Sequence, residues 1–365
     1  MDDPVYLAGV GTAVPSHRFA QQTVAEFLCR VAEAQPGARA GFVRAIRKMS
    51  ERSGISSRAS VLPDYGAETP EGFRFFPSDW SLEPFPSTSA RMARYEAEVV
   101  GLSAEAAHEA LAASHVHPSE VTHLVFSTCT GFFAPGPDVL LMERLGLPTH
   151  ARRVQVGFMG CYAGFNALRT ALEISRADPA AVVLVVSAEL CTLHLQRDLD
   201  LSTYVANLLF ADGAAAAVIG RRPGRARLID THTRVFADTR DEMSWRIGDH
   251  GFVMHLSAEV PRHLEEAAAP FVDRLLASTR YTRSDVAAWP VHPGGPRVLE
   301  AVRSALGVPD SRMAESFDVL REHGNMSSAT ILFVLARSLE RPGLQTALGF
   351  GPGLTMEGLL LEVGE

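Results

Sequence analysis

Apolar and polar residues alternate along the chain in segments with either a strand-like or a helix-like pattern. Residues 101–117 have the spacing of an amphipathic helix, and residues 119–131 (SEVTHLVFSTCTG) then have the pattern of a turn, a strand and a polar loop. Further along, AAVVLVVSAEL (residues 180–190) and LQTALGFGPGL (residues 344–354) predict buried strands, and each follows a segment with helical spacing. This alternation predicts an α/β fold with layers of helices and strands.

Part of this pattern occurs twice. Residues 275–295 repeat the order of turn, short strand and polar loop that is found at residues 119–131. The tripeptide Ser-Glu-Val at position 119 aligns with Ser-Asp-Val at position 284, an offset of 165 residues. At the same offset, Ser127 aligns with His292. The chain therefore contains a candidate internal repeat that is longer than a single helix or strand.

A second pair of segments extends the repeat. A Gly-Cys pair ending at Cys161 precedes one long helical segment, and a Gly-Asn pair ending at Asn325 precedes another, 164 residues later. The sequence thus predicts a duplication, with one half at residues 1–225 and the other at residues 226–365. If the halves pack about a pseudo-twofold axis, equivalent loops meet near that axis. Cys161, His292 and Asn325 would then converge from both halves.

Composition narrows the class of protein. Of the 365 residues, 47% are hydrophobic and 21% are charged, which is typical of a soluble globular protein. The net charge of −8 argues against nucleic acid as the main partner. No apolar run approaches the roughly 18 residues that a membrane span needs, and the acidic N-terminus lacks the basic region of a secretory signal. We therefore expect a cytoplasmic protein without a membrane span.

The four cysteines indicate chemistry at one position only. Cys29, Cys129, Cys161 and Cys191 have neither CxxC nor Cys/His spacing, so neither a metal site nor a disulfide framework is expected. Cys161 differs from the others because it precedes a helical segment. Free cysteine is often simply buried, but a helix N-terminus also favours the thiolate, which is the nucleophilic form.

A nucleophilic cysteine needs partners, and the repeat supplies two candidates. A base or cation must hold it as thiolate, and donors must stabilise the oxyanion of a thioester. His292 follows a short predicted strand, VAAWPV, and Asn325 lies at a helix start. Taken singly, a histidine at a strand end is more often a hydrogen-bonded polar residue, and an asparagine at a helix start is most often an N-cap. Their shared place in the repeat favours a catalytic group of Cys161, His292 and Asn325.

Seven segments, in this order, resemble one known family. They are GVGTAVP, STCTGFFAPGPD, GCYAG, FADGAAAAVIG, VHPGG, GNMSSAT and GFGPGLTMEGLLL, and they extend from residue 9 to residue 361. These segments resemble the thiolase superfamily, and most closely its chalcone-synthase-like type III polyketide synthases. The resemblance implies a thiolase-like, five-layered αβαβα fold built from two duplicated halves.

The resemblance also implies a reaction. Cys161 matches the nucleophile that takes a starter acyl group from coenzyme A. His292 and Asn325 match the residues that polarise the malonyl thioester carbonyl as carbon dioxide leaves, after which the enolate attacks the acyl group on Cys161. Acyl-CoA and malonyl-CoA are then the substrates, no metal or organic cofactor is needed, and the family forms homodimers.

The family's cavity residues map onto a larger set. Phe210 matches an aromatic gatekeeper between the coenzyme A tunnel and the cavity, although its apolar surroundings alone would indicate a core residue. The glycine-rich loop at residues 349–353 matches the cyclisation cavity, although its glycines also suit a tight turn. The expected cavity residues are Phe210, Met254, Cys129, Thr130, Ala134, His194, Trp245, Ser327, Gly349, Phe350, Gly351, Pro352 and Gly353.

Several of these residues depart from the plant pattern. Met254 replaces a second gatekeeper Phe of the plant enzymes, and Trp245 lies near a position that is glycine in those enzymes. Cys129 and His194 each replace a threonine, and Ala134 replaces a methionine. The sequence is therefore more similar to the bacterial branch, which includes alkylpyrone- and alkylresorcinol-forming enzymes with fatty acyl starters. Met254 and Ala134 would suit an aliphatic tail, but Trp245 could block a tunnel. We interpret Cys129 and His194 as wall residues rather than as a second nucleophile and an acid/base.

Three cations recur at four-residue intervals. Arg44, Lys48 and Arg52 would share one face of a helix. In the family, basic residues near this region bind the phosphates of coenzyme A. A solvated charged face is the alternative.

Three other functions compete with this interpretation. A ketoacyl-ACP synthase III-like enzyme would share Cys, His and Asn, but it normally has an asparagine shortly after the histidine, where this chain has HPGG, and it lacks GFGPG. A non-catalytic acyl-CoA-binding relative usually loses one of the three groups. A degradative thiolase needs a second catalytic cysteine near the C-terminus, and no cysteine lies beyond Cys191. We set the thiolase aside and keep the other two as alternatives.

Overall fold

The computed structural model describes residues 3–364, in which strands and helices alternate along most of the chain. The strands are β1 (Val5–Ala13), β2 (His17–Ala20), β3 (Ser57–Ser60), β4 (His123–Thr128), β5 (Arg152–Gly157), β6 (Val182–Leu190), β7 (Asp212–Gly220), β8 (Ala226–Val235), β9 (Met243–Gly248), β10 (Gly251–Leu256), β11 (Val286–Ala288), β12 (Gly343–Gly351) and β13 (Thr355–Val363). The α-helices are α1 (Gln21–Glu33), α2 (Ala40–Glu51), α3 (Thr88–Ala113), α4 (Pro137–Leu145), α5 (Ala163–Ala177), α6 (Leu201–Leu209), α7 (Val260–Leu276), α8 (Pro296–Leu306), α9 (Ala314–His323) and α10 (Thr330–Ser338). The predicted α/β class is confirmed.

One mixed sheet connects most of the strands. Its order is β11-β12-β13-β8-β1-β7-β6-β4-β5. β4 pairs in parallel with β5 and β6, and β11 pairs in parallel with β12, whereas the other neighbours are antiparallel. β1 and β8, one from each predicted half, join through three residue pairs. β2 with β3 and β9 with β10 form separate two-stranded sheets.

The two faces of the sheet pack into different cores, and this produces the layers. On β4, Leu124 packs into a core that includes α1 and α3, while the adjacent Val125 faces a central core with α5 and α10. On β13, Leu361 faces the same central core, whereas Leu360 packs with α7 and α8. Helices α5 and α10 thus lie between the two parts of the sheet. The layers follow the order α-β-α-β-α that the resemblance implied.

The repeat is visible in two equivalent turns. A 3₁₀ turn (Pro118–Glu120) precedes β4, and another (Arg283–Asp285) precedes β11. In each turn the acidic side chain of the last residue accepts the backbone N–H three residues earlier, at 2.9 Å for Glu120 and 2.7 Å for Asp285. The same reciprocal capping therefore begins equivalent strands of the two halves.

Two predicted elements differ in their bounds. Helix α3 begins well before residue 101, because the hydroxyl of Ser87 caps it by accepting the N–H of Ala90 at 3.3 Å. β11 is shorter than the predicted strand and ends before Pro290, which has no N–H to give to a neighbouring strand. Within the part of the chain that the structure describes, no helix combines the length and apolarity needed to cross a membrane.

Candidate active site

The three residues predicted to be catalytic line one buried cavity. Cys161, His292 and Asn325 contribute its polar side chains, the first from one half of the chain and the other two from the second half. We call this space the nucleophile cavity, and it spans about 480 Å³, part of which is open to solvent. Its other lining residues are Leu209, Phe210, Met243, Met254, Leu256, Val260, Leu264, Gly294, Val298 and Phe350. Three functional groups thus meet inside apolar walls.

Cys161 lies in the turn that leads from β5 to α5. The helix begins two residues after it, so the thiol precedes the helix rather than opening it. Gly160 makes this turn possible, since its φ is +87° and a Cβ there would lie 2.3 Å from Cδ of Pro352. At Gly164 a Cβ would lie 2.5 Å from the carbonyl oxygen of Ser328. The second half of the chain therefore contacts the backbone on both sides of the nucleophile.

His292 is fixed by its backbone while its ring has no protein partner. Its N–H donates to the carbonyl of Leu348 at 2.8 Å, which ties it to β12. The residue is 1% exposed, and among the described residues neither Nδ1 nor Nε2 has a hydrogen-bond partner. A buried polar group without a partner costs stability, so it calls for an explanation. A ligand that enters the cavity would supply the missing partner.

Asn325 is anchored beside Phe210. Its N–H donates to the carbonyl of Leu209, and its own carbonyl accepts the N–H of Ala211, both at 2.9 Å. Oδ1 accepts the N–H of Ser327 at 2.9 Å, which leaves the amide nitrogen to donate elsewhere. Helix α10 begins five residues later, and Asn325 is the N-cap neither of that helix nor of the 3₁₀ turn before it.

Burial sets the protonation of the thiol and the imidazole. Burial raises the pKa of Cys161 to about 11, hydrogen bonds from Ser327 and Asn325 lower it, and the charge of Glu189 raises it. Burial lowers the pKa of His292 to about 3. Burial in this apolar cavity thus acts against the thiolate that a helix N-terminus favours.

Glu189, at the end of β6, is a neighbour of the site that the sequence patterns do not single out. It is fully buried. Its Oε2 accepts the N–H of Cys129 at 2.9 Å and the hydroxyl of Thr130 at 2.7 Å, and its Oε1 accepts the hydroxyl of Ser328. The signal that could have indicated it is an acidic residue at the end of an otherwise apolar strand, since buried carboxylates are rare and often functional.

Phe210 and Met254 separate the nucleophile cavity from a second cavity, because both residues line both spaces. The second cavity spans about 440 Å³, part of which is open to solvent, and we call it the hairpin cavity because β9 and β10 form one of its sides. Its other lining residues are Tyr65, Cys191, Thr192, His194, Leu195, Gln196, Thr203, Ala206, Asn207, Trp245 and Phe252. Phe210 and Met254 thus occupy the position of a gate.

His194 and Trp245 are hydrogen-bonded into the cavity wall. His194 Nε2 donates to the carbonyl of Thr130 at 2.8 Å, and its Nδ1 accepts the N–H of Phe252 at 3.0 Å. Trp245 Nε1 donates to the carbonyl of Cys129 at 2.8 Å. Burial lowers the pKa of His194 to about 3, so the ring is neutral. With both ring nitrogens engaged, His194 has the contacts of a wall residue rather than of an acid/base.

Four other expected cavity residues line neither cavity. The thiol of Cys129 accepts the N–H of Gly160 at 3.0 Å, and burial raises its pKa well above the usual value. The hydroxyl of Thr130 binds the buried carboxylate described above, and the N–H of Ser327 donates to Oδ1 of Asn325. Ala134 is exposed in the single chain.

The glycine-rich loop supports the nucleophile cavity from behind, and only Phe350 of this loop lines it. A Cβ at Gly349 would lie 2.3 Å from the ring of Phe165, and one at Gly351 would lie 2.6 Å from the ring of Tyr162. Both rings belong to the segment that follows the nucleophile. The loop glycines therefore permit close packing of the two halves.

Arg44, Lys48 and Arg52 are exposed at α2 and at the residue that follows it. Within the described chain none of the three forms an ion pair, whereas the neighbouring Arg47 lies 3.5 Å from Glu26. None of them lines either cavity. Unpaired surface cations suit both a polyanionic ligand and a solvated face. Among residues 3–364 no group of three or more His, Cys, Asp or Glu side chains is arranged to hold a metal ion.

Two family models match the chain, one for each end. "Chalcone and stilbene synthases, N-terminal domain" matches residues 2–223, and "Chalcone and stilbene synthases, C-terminal domain" matches residues 228–363. These matches give no support to a ketoacyl-ACP synthase III-like enzyme or to a non-catalytic relative.

Similar proteins align along almost the whole chain. The alpha-pyrone synthesis polyketide synthase-like Pks18 of Mycobacterium tuberculosis is 33% identical over 372 aligned positions, which cover 98% of this chain and 91% of that protein. The 3,5-dihydroxyphenylacetyl-CoA synthase of Streptomyces toyocaensis is 31% identical and is covered to 89% by an alignment that takes in 98% of this chain.

Solved structures agree with this result. PKS-I from the brown alga Ectocarpus siliculosus superposes with a TM-score of 0.92 at 28% identity, covering 100% of this chain and 99% of that one. The C-terminal type III polyketide synthase domain of Steely1 from Dictyostelium superposes with a TM-score of 0.88 at 27% identity, covering 99% of both chains. The chain therefore belongs to the family of chalcone and stilbene synthases and is a type III polyketide synthase, an acyltransferase that performs decarboxylative condensation.

Proposed function

We propose that Cys161 accepts a starter acyl group from an acyl-CoA, and that His292 and Asn325 activate malonyl-CoA for condensation with it. The observation that carries this proposal is that these three side chains are the polar groups of one apolar cavity. The cavity also explains why the imidazole lacks a protein partner, since a thioester carbonyl would provide one.

Loading of the starter begins from neutral groups. As Sγ of Cys161 attacks the thioester carbonyl, its proton passes to a ring nitrogen of His292. The carbon–sulfur bond to coenzyme A then breaks, and the imidazolium returns the proton to the departing thiolate. Because the cavity walls are mainly apolar, separated charges are costly there, and proton transfer coupled to substrate arrival avoids a standing ion pair.

Condensation uses the same imidazole and the amide. Loss of carbon dioxide from the malonyl thioester leaves negative charge on its carbonyl oxygen. Ring N–H of His292 and Nδ2–H of Asn325 donate to that oxygen in a site that excludes water, where such donors are worth most. The enolate carbon attacks the acyl carbonyl, the bond to Sγ of Cys161 breaks, and the chain continues on coenzyme A, two carbons longer.

The lining favours an aliphatic starter. Apolar side chains dominate the nucleophile cavity, and the space continues beyond Phe210 and the flexible Met254 into the hairpin cavity. Trp245 lines only the hairpin cavity, so it limits the depth of the space without closing the nucleophile cavity. With a relative named for alpha-pyrone synthesis, we propose a fatty acyl-CoA starter and an alkylpyrone product, with alkylresorcinol as the second product class.

The exposed edge of the sheet supports a homodimer. β5 is the last strand of the sheet, and its residues are largely exposed. Phe132, Val154 and Met159 are exposed apolar side chains on and around this strand, and an unpaired edge strand is a template for pairing. We propose that a second copy covers this edge. Val154→Asp should then convert a dimer to a monomer in light scattering, and a wild-type monomer would exclude the proposal.

We also propose roles for the surface cations, the bounds of the two duplicated units and the compartment of the enzyme. Arg44, Lys48 and Arg52 would bind the phosphates of coenzyme A, which is a substrate carrier, and no further cofactor takes part. Residues 1–225 and 226–365 would each form one duplicated unit. Because a nucleophilic thiol near other buried thiols must stay reduced, a reducing compartment such as the cytoplasm fits the enzyme.

The test is product analysis with matched cysteine variants. The purified protein is incubated with a series of acyl-CoAs and either malonyl-CoA or malonyl-ACP, and the products are identified by mass spectrometry. We expect alkylpyrones from fatty acyl-CoA and malonyl-CoA. Cys161→Ala should lose both the covalent acyl adduct and the product, whereas Cys29→Ala, at a buried cysteine in another core, should keep both. Full turnover by Cys161→Ala would overturn the mechanism.

A further inference from the structure

The charged side chain of Arg58 is buried on the short strand β3. The residue is 3% exposed, and its guanidinium forms no ion pair among the described residues. Burial lowers its pKa to about 10, so the group stays protonated near neutral pH. A buried cation without a counter-ion is costly, and its contacts therefore call for an explanation. Nη1 donates to the carbonyl oxygen of Phe210, so the charge is directed at the backbone of a residue that lines both cavities.

Phe210 follows the last residue of helix α6, where backbone carbonyls have no partner inside the helix. The carbonyl of Leu209 accepts the backbone N–H of Asn325 at 2.9 Å, and the next carbonyl along the chain accepts Arg58. A cation at the C-terminal end of a helix also interacts favourably with the helix dipole. The end of α6 is thus closed by two other segments, β3 and the loop that contains Asn325.

Asn325 is held on both sides of the carbonyl that Arg58 binds. Its N–H donates to Leu209 and its carbonyl accepts the N–H of Ala211, each at 2.9 Å. The preceding residue, Gly324, has a φ of +71°. A Cβ there would lie 3.0 Å from the carbonyl oxygen of Leu209 and 3.6 Å from Cβ of Arg58. The chain that leads into Asn325 therefore packs directly against Arg58 and the end of α6.

The same strand also binds the helix that precedes Asn325. The N–H of Ser56, immediately before β3, donates to the carbonyl of Arg321 at 2.7 Å. The hydroxyl of Ser57, the first residue of β3, donates to the carbonyl of Glu322 at 2.9 Å. Both carbonyls belong to the last turn of α9, which ends two residues before Asn325. β3 therefore holds the loop of Asn325 through α9 on one side and through the end of α6 on the other.

We propose that Arg58 is a positioning residue for decarboxylation: it fixes the carbonyl of Phe210, and with it the backbone that holds Asn325. The amide of Asn325 then stays directed at the thioester carbonyl of malonyl-CoA. Arg58 lines neither cavity, so it acts on the reaction through Asn325. The turn that presents Cys161 takes part in none of these contacts, so loading of the starter should not depend on Arg58. This assignment rests on the roles proposed above for Cys161 and Asn325.

The test measures two quantities in one sample: the rate at which malonyl-CoA releases carbon dioxide, and the amount of acyl adduct formed on Cys161. Arg58→Met removes the charge and the donor but keeps a long side chain. We expect carbon dioxide release per acylated site to fall about tenfold, because a displaced donor loses much of its effect. Arg58→Lys keeps a cation that can donate to the same carbonyl and should recover most of the lost rate. Loss of folded protein lowers both quantities together, so a merely structural role would leave their ratio unchanged.

Arg221→Met is the matched control. Arg221 donates to the carbonyls of Ser175 and Arg176 in the last turn of α5, at 3.0 and 2.8 Å, so it too closes the C-terminal end of a helix. That end of α5 is the one remote from Cys161, and the variant should leave the ratio unchanged. A wild-type ratio in Arg58→Met, or an equal fall in both variants, would overturn the assignment.

A double variant tests whether Arg58 acts through Asn325. Asn325→Ala removes the amide and should slow carbon dioxide release on its own, and adding Arg58→Met should then have no further effect. Losses that multiply in the double variant would show that Arg58 acts independently and would refute the positioning role. Unchanged release in Asn325→Ala alone would refute the role proposed for that amide, and the assignment of Arg58 with it.

Gln21→Leu tests the same helix end without changing a charge, which covers the case in which Arg58→Met does not fold. Gln21 is buried, and its Nε2 donates to the carbonyl of Leu208 at 2.8 Å, next to the carbonyl that binds Asn325. We expect carbon dioxide release per acylated site to fall about threefold, within the range of one neutral hydrogen bond. An unchanged ratio would contradict the dependence of Asn325 on the end of α6.

Discussion

The two halves of the molecule place different chemistry after the same turn. Ser127 in the first half and His292 in the second are separated by the repeat offset of 165 residues. The hydroxyl of Ser127 is paired with that of Ser187 at 2.6 Å inside the sheet, whereas the ring of His292 has no partner. The turn that the two halves share therefore has a structural role. The unpaired polar group lies at the position that we propose to act on a substrate, and the paired one completes the sheet.

Cys161 and Asn325 extend this comparison. Both precede a helix of the central layer without lying in it, and both face the nucleophile cavity. One half therefore holds the proposed nucleophile, while the other holds both groups that we propose to handle negative charge. Since neither half holds a complete set, the proposed reaction needs both.

The comparison is tested most directly by removing the side chains of His292 and Ser127 one at a time. His292→Ala should lower kcat for polyketide formation by about 10³-fold, because it removes the proton acceptor in loading and a donor in decarboxylation. Ser127→Ala should change kcat less than severalfold, since its hydroxyl only pairs with Ser187. Product formation is measured by chromatography. Similar losses of kcat in both variants would contradict a catalytic role for His292 and a structural role for Ser127.

Asn325 separates decarboxylation from loading. Asn325→Ala removes one donor to the developing enolate and should slow release of carbon dioxide from malonyl-CoA by about 10²-fold. Formation of the acyl adduct on Cys161 should change much less, because the amide is assigned to the second step. Both steps are followed by mass spectrometry of protein and products. A variant that loads as poorly as it decarboxylates would place Asn325 in both steps.

Acid stability should also differ between the halves. The pKa of His292 is lowered to about 3 in the folded chain, so below the unfolded value of about 6.5 the unfolded chain binds a proton that the folded chain does not. This residue therefore costs nothing above pH 6.5, and stability falls as the pH decreases from 6.5 toward 3. His292→Gln should reduce that slope by about 1.4 kcal/mol per pH unit, measured by urea unfolding. Ser127→Ala, which removes no titrating group, should leave the slope unchanged.

The smallest effect is expected at the surface of the first half. Arg44→Gln, Lys48→Gln and Arg52→Gln together should raise KM for acyl-CoA severalfold with little change in kcat, and added salt should reduce the difference from wild type. The control is Arg47→Gln, whose guanidinium already lies near Glu26. A KM that does not respond to the triple change would show a solvated charged face.

The sequence predicts the features of the structure that depend on repeated or alternating patterns of residues. Apolar runs give β6 and β12 within two or three residues of their observed ends, and the Ser-Glu-Val and Ser-Asp-Val tripeptides locate the two equivalent turns. Such patterns are local, so a single sequence can show them. The placement of Cys161, His292 and Asn325 together followed from the repeat, because equivalent loops of duplicated halves meet.

The features that the sequence could not predict depend on groups that are buried by segments far apart along the chain. The burial that raises the pKa of Cys161 comes from walls supplied by distant segments, so the helix start alone does not predict the direction of this shift. Glu189 depends on donors from residues 129–130 and from Ser328, which lie far apart along the chain. Spacing carries no information about such three-dimensional enclosure.

The hairpin of β9 and β10 forms a part of the cavity wall that lies outside the nine-stranded sheet. It carries Trp245, Phe252 and Met254, and its strands pair only with each other. Exchanging Phe252 or Met254 would alter the shape of the space without changing the pairing of the nine strands. Substitutions in this small hairpin can therefore change the range of substrates, while the whole fold holds the reacting groups in place.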